Sequence, residues 1–297
     1  MQKLIGQPTK AYSKHYVLGL GFHGFHRINY LEWGAPTGRQ QRKDTVICVH
    51  GVSRNARDFD FLAERLCDRY RVVCPDMVGR GDSDHLLSHD GYTYLQYNAD
   101  MNALLARLNV AGVDWIGTSM GGIIGMVLAA AHQSPIRRLV VNDVGPLIDR
   151  ESLVKIGEYI GRAGEFATQD EAEAYMRDIY SEFGPMDDPG WEHMVRYSTY
   201  RTAQGRYRMK MDKGVGEAFR DQISMFDVDM WDVWERITCP VLILRGANSQ
   251  FFSRETAEKM LTCGPEATLV ELEGTGHAPT LRSEEQVNVI SDWLNQV

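Results

Sequence analysis

Residues 113–132 read VDWIGTSMGGIIGMVLAAAH, and the order of residue types in this stretch decides the fold. Residues 113–116 suit a buried strand, and residues 121–132 carry apolar side chains at helical spacing. Between them lies Gly117-Thr118-Ser119-Met120-Gly121, a G-x-S-x-G. A strand that turns straight into a helix has no room for Cβ atoms flanking the turn, which is why glycine is needed at 117 and 121. The serine between them is left with a strained backbone and an exposed hydroxyl, above a helix N-terminus that favours developing negative charge. The competing reading of such a turn is a phosphate cradle. That requires GxxxxGK[ST] or GxGxxG, and this turn carries neither.

The same rhythm extends on both sides. Residues 45–49 (TVICV), 71–74 (RVVC) and 139–141 (LVV) join 113–116 as strand candidates, apolar enough to be buried on both faces. Residues 59–69 and 94–109 have helical spacing, and 16–20 with 27–32 suggest an antiparallel opening hairpin. After Pro146 the strand runs stop, and residues 146 to about 235 become charged, helix-prone and rich in Met, Tyr and Trp. Strand and helix signals resume at 241–244 (VLIL), 254–261, 268–272 (TLVEL) and 283–295. The expected architecture is therefore α/β, a mostly parallel central sheet with helices on both faces and an inserted helical cap. Its divisions are 1–145 for the first part of the core, 146–235 for the insertion and 236–297 for the second part.

Composition narrows the function classes. The 297 residues are 43% hydrophobic and 24% charged, an ordinary globular mixture. A net charge of −8 without long Lys/Arg runs argues against nucleic acid or an anionic membrane as the main partner. The five cysteines lack CxxC spacing and read as buried free thiols in a reducing compartment, not as a metal site or disulfide framework. The N-terminal segment lacks a signal-like apolar stretch, and the apolar run 123–131 is too short to span a membrane. The expectation is a soluble cytoplasmic protein acting on a small molecule, with neither metal nor organic cofactor.

A serine hydroxyl needs a base. His277 is the only histidine after His193, and it sits in the Gly-rich loop Gly274-Thr275-Gly276-His277-Ala278-Pro279 after the last strand candidate. The chain order for a nucleophile of this kind places the base there. His50-Gly51-Val52 directly follows TVICV, and Gly51 permits a sharp turn. The backbone N–H groups of Val52 and Met120 are thus the expected oxyanion donors. His50 reads as a brace for this loop.

Taken in order, the HG pair at 50–51, CPDMVGRGDSD at 74–84, GTSMGG at 117–122 and GTGHAP at 274–279 resemble the α/β-hydrolase superfamily over nearly the whole chain. The resemblance implies that 75–84 braces the sheet end and that 146–235 is a helical cap shaping substrate choice. It also implies a carboxylic-ester hydrolase working through an acyl-enzyme. Relatives cleave thioesters, C–C bonds of β-diketones, amides or lactones with the same parts, and a hydrolase-fold binding protein without turnover is an alternative of another class. Members with aspartate as nucleophile act on carbon–halogen bonds or epoxides, and Ser119 argues against that group. The family usually carries its acid about three residues past the glycine of the strand that here reads VLILRG. Here 246–253 reads GANSQFFS, with no carboxylate before Glu255. Asn248, Ser249 and Gln250 could only hydrogen-bond an imidazole. Some relatives place the acid at the end of the preceding strand, which here is Asp143. Its other reading is a cap or hinge anchor, and Asp76 and Asp227 are weaker candidates. The cap's aromatic and Met residues read chiefly as packing, and Arg196, Arg201, Arg206 and Arg208 as possible partners for a substrate carboxylate.

Overall fold

The structure is a computed structural model describing residue 4 and residues 6–35 and 43–296. Residues 1–3 and 5 of the N-terminal segment read above lie outside the described residues. Strands β1 (Tyr12–Gly21) and β2 (Gly24–Trp33) form the antiparallel opening hairpin. Then β3 (Thr45–Val49), β4 (Arg71–Pro75), β5 (Val113–Thr118) and β6 (Ile136–Asn142) alternate with α1 (Asp60–Leu66), α2 (Tyr94–Leu108) and α3 (Met120–Ala129). Away from the main sheet run β7 (Leu147–Ile148), α4 (Arg150–Tyr159), α5 (Gln169–Ile179), α6 (Asp188–Ser198) and β8 (Thr199–Arg201). The same excursion continues through β9 (Tyr207–Met209), α7 (Lys213–Asp221), β10 (Val228–Asp229) and α8 (Trp231–Trp234). The chain then returns with β11 (Val241–Gly246), α9 (Arg254–Met260), β12 (Ala267–Leu272) and α10 (Glu284–Gln296).

The main sheet has the order β1-β2-β4-β3-β5-β6-β11-β12, parallel from β4 onward. Alternation along its strands sorts side chains onto two faces. Ile47, Val49, Val73, Trp115, Leu139, Val141 and Ile243 pack with residues of α2, α3, α8 and α9. Val46, Cys48, Val72, Cys74, Ile116, Val140, Leu242 and Leu244 pack with α1 and α10. Both faces are thus covered, and every residue of β3 is buried.

Between β6 and β11 no strand joins the main sheet, but the segment is not purely helical as its sequence suggested. β8 and β9 pair as a hairpin, and β7 pairs with β10 so that the start and end of the excursion lie side by side. Strands of two or three residues are too short to leave a period-2 pattern. The hairpin's only local signal is its turn, where Gly205 takes φ +81° and its N–H bonds Thr202 O at 2.9 Å. Side chains start the helices: Asp149, Thr168, Asp187 and Asp212 accept N–H bonds at the heads of α4, α5, α6 and α7. Ala172, Met176, Tyr180, Trp191, Met194 and Val195 form a small core of their own.

Register sets up the site. Thr118 lies opposite Asn142, Asn142 opposite Leu244, and Gly246 opposite Leu272. The carboxyl ends of β5 and β6 are level, and those of β11 and β12 reach two residues further on the same side, where loops from an α/β sheet meet a ligand.

Candidate active site

Ser119 follows β5 and heads α3 with φ +51° and ψ −114°. Glycine would adopt that φ freely; serine is held in it. Its N–H bonds Asn142 O at 3.0 Å, and its carbonyl accepts the N–H groups of Gly122 and Ile123 at 2.8 and 3.0 Å. A Cβ on Gly117 would overlap the backbone of Gly121, and one on Gly121 would overlap Val49. Trp115 secures the turn from below, donating Nε1–H to Gly121 O at 3.0 Å.

His277 lies in the loop after β12, with Nε2 3.0 Å from Ser119 Oγ and Nδ1 2.7 Å from Asp143 Oδ2. Because a carboxylate faces Nδ1, that nitrogen carries the proton, and Nε2 is left to accept the serine O–H. The ring packs on Phe251 with centroids 4.1 Å apart. Asn142 links the parts, donating to Thr118 Oγ1 at 3.0 Å and to Pro279 O at 2.9 Å. A carbonyl from the excursion, Glu182 O, accepts Gly276 N–H at 2.8 Å and steadies the histidine loop.

Asp143 is fully buried at the end of β6 with φ +57°. Besides the imidazole it accepts Gly246 N–H at 2.7 Å and Ser249 O–H at 2.6 Å. The loop after β11, where a carboxylate is missing, therefore supplies two donors to the aspartate of the neighbouring strand. Ser249 was read as a possible imidazole partner, and the structure turns its hydroxyl to Asp143 instead. Of the other carboxylates considered, Asp227 accepts Arg150 N–H and Glu255 lies in the first turn of α9. Asp76 accepts Ala56 and Asp82 N–H groups at 2.8 Å each, and burial pushes its carboxyl up to about 6.

Gly51 comes within van der Waals range of the serine: a Cβ there would sit 3.8 Å from Ser119 Cβ. Val52 lines the same cleft as Ser119, and Met120 is the first residue of α3. His50 has no exposure; its Nδ1 donates to Gly51 O at 2.7 Å and its Nε2 accepts Met77 N–H at 2.9 Å. Burial lowers it to about 3, so it stays neutral and braces two loops. Arg80, from the 75–84 segment expected to brace the sheet end, is buried and donates Nε–H to Val52 O at 2.9 Å, fixing the peptide next to the expected oxyanion donor.

The cleft over Ser119 is partly open to solvent. Its wall includes Phe59, Phe61 and Leu281 from the core, with Ile156, Tyr159, Phe183 and Met194 from the excursion. Of the excursion's aromatic and Met residues singled out from sequence, Met194 reaches the cleft; Trp191 and Trp234 pack in cores, and Met225 and Phe226 are exposed. Arg196, Arg201, Arg206 and Arg208 do not line the cleft. Arg206 and Arg208 pair with Glu165, Arg201 bonds Gly205 O, and Arg196 lies over Tyr197. Among the described residues there is no cluster of metal-ligating side chains and no helix long and apolar enough to cross a membrane.

Residues 46–289 match the description of the alpha/beta hydrolase family. The chain is 39% identical over 279 residues to the 3-hydroxybutyrate-oligomer hydrolase of Cupriavidus necator, covering 91% of this chain and 94% of that protein. It is 26% identical over 235 residues to the 2-(acetamidomethylene)succinate hydrolase of Mesorhizobium japonicum, covering 78% and 81%. The crystal structure of an alpha/beta hydrolase from Novosphingobium aromaticivorans superposes with a TM-score of 0.84 at 35% identity, covering 97% of this chain and all of that one. The chain belongs to the alpha/beta hydrolase family and is a hydrolase of the ester-cleaving type.

Proposed function

We propose that the protein hydrolyses carboxylic esters of small molecules through an acyl-enzyme formed on Ser119. The observation that carries this reading is the continuous chain Ser119 Oγ, His277 and Asp143, with links of 3.0 and 2.7 Å. His277 Nε2 takes the serine proton as Oγ attacks the ester carbonyl, and Asp143 holds the ring and offsets the imidazolium charge. The oxyanion rests on the N–H groups of Val52 and Met120, at a helix N-terminus that favours it. His277 then passes its proton to the leaving alcohol and takes one from water, which attacks the acyl carbon; as the acyl–Oγ bond breaks, His277 returns that proton to Ser119 Oγ and the acid is released.

Residues 146–235 act as a cap whose side chains set the shape of the acid or alcohol admitted. The name of the relative at 39% identity makes short esters of 3-hydroxybutyrate the first substrates to test. The free cysteines, three of them buried, fit a reducing cytoplasm.

A fluorophosphonate probe is expected to attach to Ser119 and to leave the Ser119→Ala protein unlabelled. Hydrolysis of 4-nitrophenyl butyrate should fall in that variant by on the order of 10³-fold or more. An unlabelled wild type would remove the reading.

A further inference from the structure

The residues lining the cleft that holds Ser119 include, among the described residues, three arginines, Arg54, Arg57 and Arg282, and one acidic residue, Asp58. Arg57 is fully engaged: Nε bonds Asp60 at 2.6 Å, Nη1 bonds Tyr12 Oη at 2.8 Å, and the group lies 3.5 Å over the Tyr197 ring. The other two are stacked as well, Arg54 4.8 Å from the Tyr180 ring and Arg282 4.6 Å from the Phe61 ring, but each keeps one N–H unpaired among the described residues. Arg54 is 4% exposed and forks Asp58 through Nε and Nη2 at 2.9 and 2.6 Å, while its Nη1 is buried with no partner among the described residues. Arg282 is also 4% exposed and gives Nη1 to Asp187 at 2.6 Å, while its Nε is buried and equally without a partner. Arg54 closes the turn begun by Gly51, its own N–H on Gly51 O at 3.0 Å, and Arg282 follows on the His277 loop. Each of the two loops that bring Val52 and His277 to Ser119 thus carries a buried cation with an unfilled donor.

We propose that the cleft selects esters bearing a free carboxylate, whose oxygens take the unfilled N–H groups of Arg54 and Arg282. This rests on the reading of the cleft as an ester site and names its substrate class. An acceptor with a full negative charge suits both donors, because a charge-assisted bond is the stronger kind and the guanidinium geometry matches a carboxylate. The rest of the wall is largely apolar, so little water competes for those bonds. A neutral ester of the same size leaves two buried donors unmade, and discrimination comes from that loss as well as from the gain. A short oligomer of a hydroxyacid ends in such a carboxylate; the same oligomer capped as its methyl ester does not.

The test uses the dimer of 3-hydroxybutyrate and its methyl ester, titrated calorimetrically into the Ser119→Ala protein so that binding is read without turnover. The free acid is expected to bind at least tenfold tighter than the methyl ester, and that ratio is expected to fall below threefold when Arg54→Gln or Arg282→Gln is added. Arg282→Gln carries the test if Arg54→Gln does not fold, since the Asp187 it releases is 42% exposed. Equal binding of acid and methyl ester, or a ratio untouched by a folded arginine variant, overturns the proposal. Hydrolysis of neutral 4-nitrophenyl butyrate by the wild type reports separately on the ester reading. It can succeed while this proposal fails, or fail while the carboxylate preference stands.

Discussion

Asp143 carries three donors on one carboxylate, and they are not equal. His277 Nδ1–H and Ser249 O–H both bond Oδ2, and Gly246 N–H bonds Oδ1. Asp143→Asn keeps the shape but lets the amide donate toward Nδ1, which favours the wrong tautomer. kcat on a 4-nitrophenyl ester is expected to fall by about 10⁴-fold, as in other serine triads. Ser249→Ala removes one charge-assisted bond, worth about 1.4 kcal/mol, and kcat should fall only about tenfold. A Ser249→Ala loss as large as that of Asp143→Asn would mean that Ser249 does more than hold the aspartate. The sequence made Ser119 and His277 legible because their neighbours, Gly117, Gly121, Gly274 and Gly276, are demanded by the turns. Asp143 was legible only because the loop after Gly246 is empty of carboxylates. Ser249 and Arg54 were not legible in their present contacts, since a hydroxyl or guanidinium declares its partner only once distant loops meet.

The turn from β5 into α3 depends on two glycines that cannot carry side chains. Gly121 packs against the Val49 carbonyl, and Gly117 packs against Gly121. Gly121→Ala must push β3 and α3 apart. A loss of about 3 kcal/mol in urea unfolding is expected, together with at least a tenfold loss in kcat as Ser119 shifts. A variant with unchanged midpoint and kcat would show that the turn has slack. Core strands such as TVICV and VLIL were readable because burial on both faces leaves an unbroken apolar run. β7 to β10 were not, because strands of two or three residues show no period, and what holds β7 against β10 is pairing across the whole excursion.

For the molecule as a whole, two buried groups oppose each other in acid. His50 stands at about 3 when folded against 6.5 for the ordinary imidazole. The unfolded chain therefore gains a proton below about pH 6.5 that the folded state refuses. The contribution of His50 is complete above that pH and is lost as pH falls toward 3. Asp76 is raised from 3.8 to about 6, so the folded state holds its proton longer, and its contribution is lost as pH rises from about 4 to 6. His50→Gln should accordingly destabilise more at pH 7 than at pH 4.5, by up to about 2.7 kcal/mol from two pH units of differential protonation. Urea midpoints of both proteins at the two pH values check this; an equal difference at both would mean His50 is not buried neutral.

The position of Asp143 also bears on how the machinery comes together. Ser119 and Asp143 stand at the ends of adjacent strands within a single β–α–β unit, whereas His277 arrives 134 residues after Asp143. The first two groups are local partners, set by neighbouring stretches of chain. The third is a distant partner, held in place by the pairing of β7 with β10 and of the last strands with β6. Hydrolytic competence therefore hangs on parts of the chain 158 residues apart, and loosening the C-terminal quarter alone would take the base away from a nucleophile left in place.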